Sequence, residues 1–283
     1  MTTLRAFVQR HPVLAYLGMT YLISWGGALL VVAPKLLQGK PISQVDGLLM
    51  FPVMLLGPSV TGITLTAIAE GSSGLRRLFA RMGRWRVGVW YLVLLVPPVL
   101  VLAVLFSLRA AISPAFTPSY GLFSIFYGIL PGFVEEIGWM GFVYPHLKTG
   151  RSPLTAALVL GVLWGLWHLP VIDFLGAAYP HGVYLLPMVC AFVVAMTAMR
   201  VLIVWAYSST GSLLLAQLLH TSSTASLAVF SPSLVSPAQE PVWYAVYAVA
   251  LWVVVALVVV TYGRQLTRQL APVGTLEART SSV

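Results

Sequence analysis

Acidic residues are nearly absent from this chain: seven Asp and Glu in 283 residues, with 8% of all residues charged and 59% hydrophobic. Soluble globular chains carry roughly 25% charged residues, so a wholly water-facing surface is excluded, and a mean hydropathy of +0.92 assigns the chain to a bilayer. Cysteine is scarcer still. Cys190 is the single thiol, which rules out an intramolecular disulfide and any cysteine-based zinc site. In MVCAFVVAM it reads as a small apolar packing residue and not as a nucleophile. No HExxH stretch occurs, so the soluble zincin arrangement is excluded as well. Internal repeats and low-complexity segments are also missing.

What the chain has in abundance is apolar length. Runs of about 20 residues, enough to cross a hydrocarbon core, fall near 13–32, 48–69, 89–110, 122–144, 153–172, 183–206, 211–231 and 242–262. Their unbroken helical length excludes the roughly 10-residue alternation of a barrel. The pattern predicts an all-α polytopic membrane protein of about eight helices, one domain over 1–270 with a short tail over 271–283. The first run has no small-residue cleavage site behind it and is read as a retained span.

A net charge of +9 raises nucleic acid as a partner, but the placement of the basic residues argues for topology instead. With eight spans, twelve basic residues fall on the side of the termini and of loops 2–3 and 4–5, against Lys35, Lys40 and Arg109 on the other. That bias predicts a multi-pass protein of a bacterial-type plasma membrane with both termini cytoplasmic. Loop 2–3, GSSGLRRLFARMGRWRVG, reads as a basic amphipathic stretch able to lie on anionic lipid. Membrane lipids are thus expected partners, and nucleic acid is not.

Ionisable groups within the spans are costly and mark function. Glu135 and Glu136 are adjacent in GFVEEIGWMGF, His168 lies in LWGLWHLP, His220 in LLLAQLLHTSST and Arg200 in AMTAMRVLIVW. Two carboxylates and two imidazoles on three apolar helices are explained together by one polar intramembrane cavity. Pro131 and Gly132 predict that the fourth helix starts or kinks just ahead of the glutamates, where a helix N-terminus favours negative charge. Trp139, Trp164 and Trp167 are candidates for an apolar groove beside the cluster.

These residues carry a likeness. EEIGWMGFVYPHL resembles the EExxxR-type first motif of the CPBP family of intramembrane proteases, which includes CAAX proteases and bacteriocin-processing enzymes. LWGLWHLP is similar to its second motif, SLLLAQLLHTSST to its third, HxxxN, and GPSVTGITLTAIAEGSSGLRRLFARMGRWRVGVWYL to its second-helix and basic-loop region. The resemblance implies an intramembrane endopeptidase acting on a peptide or prenylated protein. Glu135 would be general base on the attacking water, Glu136 would adjust its charge, His168 would hold the water, and His220 with Thr224 would stabilise the oxyanion. It also leaves open a catalytic zinc on Glu135, His168 and His220, or no metal at all.

Two positions depart from the motifs. Met140 stands where the first motif has arginine, and Thr224 where the third has asparagine. Methionine cannot pair with a carboxylate, so Glu136 is expected to be largely protonated unless Arg200 packs nearby, because two close carboxylates in a low dielectric do not both ionise easily. The alternatives are a weakened homologue that binds membrane proteins or prenylated peptides without cutting them, and a proton-coupled transporter.

Overall fold

The computed structural model describes residues 2–121, 124–172 and 181–267. The expected tail over 271–283, with Arg268 and Arg279, lies outside them. A short α1 (Thr2–Arg10) leads into α2 (Pro12–Leu37), which opens on a proline, a residue that needs no N–H partner there. α3 (Gln44–Met82) starts on a reciprocal cap in which Ser43 N–H donates to Asp46 Oδ2 at 2.6 Å. A 3₁₀ segment (Gly88–Leu95) feeds α4 (Val96–Ala111). α5 (Ile125–Gly138) runs through a π-turn (Trp139–Val143) into α6 (Tyr144–Lys148). α7 (Pro153–Trp167) is capped by Ser152 and followed at His168 by the single turn α8 (Leu169–Ile172). α9 (Leu185–Thr210) stops at left-handed Gly211. α10 (Leu213–Phe230) begins on the Ser212 cap, and α11 (Glu240–Tyr262) completes the bundle.

Every one of the predicted apolar runs is helical, and no strand occurs among the described residues. Among the described residues six helices are long and apolar enough to cross a membrane: Pro12–Leu37, Val45–Met82, Gly88–Ala111, Gly182–Thr210, Leu213–Phe230 and Glu240–Gln265. The count of eight is not reached because the π-turn divides the fourth run and α7 has only 15 residues. The protein is a polytopic all-α membrane protein. Its core joins Tyr16 of α2, Trp139 and Phe142 of the π-turn, Trp164 of α7 and Leu202 of α9, all buried.

Three expectations are corrected here. α5 continues through Pro131 without starting or breaking there, so the glutamates sit at its C-terminal end, where the dipole gives them no help. The basic stretch expected as loop 2–3 is helical as far as Met82. Beyond a break at Gly71 (φ 67°, ψ −159°) α3 folds back on the bundle, burying Leu78 and directing Arg81 Nη2 to the Gly141 carbonyl at 2.7 Å. Cys190, expected to pack inside, is exposed on α9.

Candidate active site

Two pairs of glycines bring the relevant helices together. Gly128 and Gly132 are one turn apart on α5, and a side chain at either would strike α10 at Ala225 or at Thr221 and Gln217. Small residues at this spacing let helix backbones approach closely in a membrane. Glu136 is the next position on the same face, one turn on, so the contact that seats α10 also delivers the carboxylate to His220. Gly161 and Gly165 do the same for α7 against α9, where added side chains would meet Thr197, Arg200 and Val193. Gly138 presses on the Pro58 carbonyl of α3 and the Tyr16 hydroxyl of α2. Close backbone packing thus fixes where the polar side chains meet.

Glu136 is fully buried and accepts from three directions' worth of charge. Arg200 Nη1 donates to both of its oxygens, at 2.8 and 2.7 Å, and His220 Nδ1 meets Oε1 at 2.7 Å. The Arg200 side chain is itself fully buried. Its guanidinium carbon lies 4.1 Å from the ring centroid of Trp164, a cation–π contact in a desolvated setting. A guanidinium and an imidazole on one carboxylate satisfy both of its oxygens with charge-assisted hydrogen bonds. The condition set for a protonated Glu136, the lack of a basic partner, is not met: α9 supplies the cation that Met140 does not, while Met140 is buried within the π-turn.

Glu135 has a different environment. Its Oε2 accepts from Trp164 Nε1–H at 2.8 Å, and it borders a cavity of about 420 Å³ that Glu136 does not reach. Trp164, Trp167, His168, His220 and Thr224 border the same cavity. Trp139 does not, and packs instead against Trp167 and Tyr16, so two of the three tryptophans form the expected apolar wall. His168 Nδ1 lies 2.8 Å from the Trp164 carbonyl. A carbonyl only accepts, so Nδ1 carries the proton and Nε2 has the lone pair. His220, with Nδ1 directed at a carboxylate, is left with Nε2 in the same way. Thr224 Oγ1 donates to its own helix at His220 O, 3.2 Å away, which turns its proton from the cavity in this conformation.

Sequence reasoning named the glutamates, both histidines, Thr224 and Arg200, but missed Trp164 as a polar group. Its indole donates to Glu135, its face carries Arg200, and its edge meets His220 at 4.9 Å between centroids. The only signal was its place one turn before His168. Among the described residues no three His, Cys, Asp or Glu side chains group to hold a metal ion. Glu135, His168 and His220 share a cavity without forming such a set, partly because Trp164 holds one carboxylate oxygen and Glu136 draws His220 to the rear.

Residues 117–226 match the family model described as type II CAAX prenyl endopeptidase Rce1-like. Through this segment the chain is similar to the CPBP family. The matched stretch contains every polar group of the cavity core, from Glu135 to Thr224, and includes Arg200. A CAAX prenyl protease 2 of Methanococcus maripaludis is 30% identical over 99 residues, which cover 32% of this chain and 36% of that protein. The CPBP likeness thus spans about a third of the curated relative's length. Within it, the first-motif arginine is absent and its charge stands on α9.

Proposed function

We propose that the chain is an intramembrane endopeptidase of the CAAX protease type, hydrolysing a peptide or prenylated-protein substrate at the membrane. The observation that carries this reading is the division of the glutamate pair: Glu136 paired behind the site with Arg200 and His220, Glu135 in no ion pair among the described residues and bordering the cavity with both imidazoles. Glu135 takes a proton from a water that His168 Nε2 orients, and the oxygen attacks the scissile carbonyl. His220, seated through Nδ1 by Glu136, donates from Nε2 to the oxyanion once that nitrogen carries a proton. Thr224 joins it on rotating its hydroxyl from the helix. Collapse of the tetrahedral species returns the Glu135 proton to the leaving amine. No step runs through a metal, because the three candidate ligands do not group as a metal set.

The alternative of a weakened homologue rested on Met140, and the pairing of Arg200 with Glu136 favours the active reading over it. The reading includes a bacterial-type plasma membrane with both termini cytoplasmic, from the charge bias. The test compares the wild type with Glu135→Gln, His168→Ala and His220→Ala in liposomes, against prenylated and unprenylated peptides. Each substitution is expected to lower turnover by roughly 10²- to 10⁴-fold, with the wild type unaffected by EDTA. Cleavage that survives all three would sink the assignment, and solute or proton flux without cleavage would replace it with a transporter.

A further inference from the structure

The two ends of the bundle differ in charge, and the cavity reaches only one of them. At one end the described chain places Arg5, Arg10, the five arginines between 76 and 86, Lys148, Arg151 and Arg264, ten basic residues with Glu70 as the sole acid. Contacts tie these segments together there: Arg5 Nη2 donates to Ala69 O, Arg81 Nη1 to Tyr207 Oη at 2.9 Å, and Ser212 Oγ to Arg84 O at 2.5 Å. At the other end stand Lys35, Lys40 and Arg109 with Asp46 and Glu240, and Lys35 is spent on Asp46 at 2.6 Å. The cavity floor is at Glu135 and His220. Its wall continues through Ala228 of α10 to Ser119, Ser124, Ser231 and Ser233, in the segments that join α4 to α5 and α10 to α11. Those two segments are stitched to each other, Gly121 N–H and Ser119 Oγ both donating to Val229 O at 2.9 and 3.3 Å. Ser233, at the rim, is exposed. The arginine-rich end contributes nothing to this lining. Glu135 is ten residues into α5 from the rim end, a depth of roughly 15 Å.

A bias of ten basic residues against three places the arginine-rich end in the cytoplasm. We infer that the site is entered from the extracytoplasmic side, and that its substrate is a segment of an exported or membrane polypeptide presented at the outer leaflet. This rests on the protease reading for the word substrate, but the direction of opening stands on geometry and charge alone. The described lining carries Glu135 and Glu240, the latter 2.9 Å from His181 Nε2, and no lysine or arginine, so it suits an uncharged segment.

The test is by thiol access, which needs no turnover. In the full chain with Cys190→Ala, single cysteines are placed at the rim (Ser233→Cys), in the cavity wall (Ala228→Cys) and at the arginine-rich end (Ala80→Cys). Intact bacterial cells are treated with methanethiosulfonate-ethyltrimethylammonium, a cation that does not cross membranes, and unreacted thiols are then counted with a biotin maleimide after solubilisation. Ser233→Cys and Ala228→Cys are expected to be blocked at least tenfold faster than Ala80→Cys, which reacts only once the membrane is permeabilised. Reaction of Ala228→Cys only after permeabilisation, or reaction of Ala80→Cys in intact cells, would place the opening in the cytoplasm and overturn the inference. Absence of reaction at Ala228→Cys under both conditions would overturn it too, by showing a closed cavity. Failure of the protease reading gives a separate result, a folded protein with these accessibilities that cleaves nothing.

Discussion

At the scale of single residues the finding with most consequence is the relocated counter-charge. Arg200 is fully buried, serves both oxygens of Glu136 and lies over Trp164. Removing one partner of such a pair leaves an uncompensated buried charge, at a cost of roughly 3 to 5 kcal/mol. Arg200→Met is therefore expected to lower the thermal midpoint sharply in detergent and to abolish turnover. Arg200→Lys should recover only part, since a point ammonium neither bridges the two oxygens so well nor covers the indole face. Met140→Leu should be close to neutral in both assays. These groups were legible in the sequence because an ionisable residue in an apolar run stands out on energetic grounds alone. Which of them pair was not, since Glu136 and Arg200 are 64 positions apart and only the packing of α9 decides it. Trp164 stayed hidden for another reason: a tryptophan among apolar residues gives no sign that its N–H is used.

Among the elements, α5 does the most with the least. Its face toward α10 is two glycines and a glutamate, so the helices meet backbone to backbone before the polar groups join. A methyl at Gly132 would strike the Thr221 backbone nitrogen, which cannot rotate away. Gly132→Ala is expected to cost roughly 1 to 3 kcal/mol, read as a lower thermal midpoint, and to cut turnover by displacing His220 from Glu136. The helical runs themselves were readable from length and hydropathy. Their interruptions were not. Pro131 is tolerated inside α5 as prolines are when neighbours satisfy the backbone, and the break came later, as a π-turn at Trp139–Val143. Such turns are frequent at functional sites, and here Arg81 caps one of its carbonyls, at Gly141.

For the molecule as a whole, the proposed orientation rests on the imbalance between its ends. Replacing Arg76, Arg84 and Arg86 by glutamine reduces ten basic residues against three to seven against three, while sparing Arg81, which the fold uses. A measurable share of molecules is then expected to insert the other way up, seen as Ser233→Cys becoming partly shielded in intact cells. The charge asymmetry was plain in the sequence, but the direction in which the cavity opens required the course of all the helices. The Glu136–Arg200 pair has one more consequence. α5 is synthesised before α9, so for a time its carboxyl has no cation to meet. In that interval neither Arg200 nor His220 is in place to meet its two oxygens. Completion of the bundle is thus also the event that seats the site, so a chain whose last helices have not yet assembled has no Glu136–His220 contact to fix the imidazole.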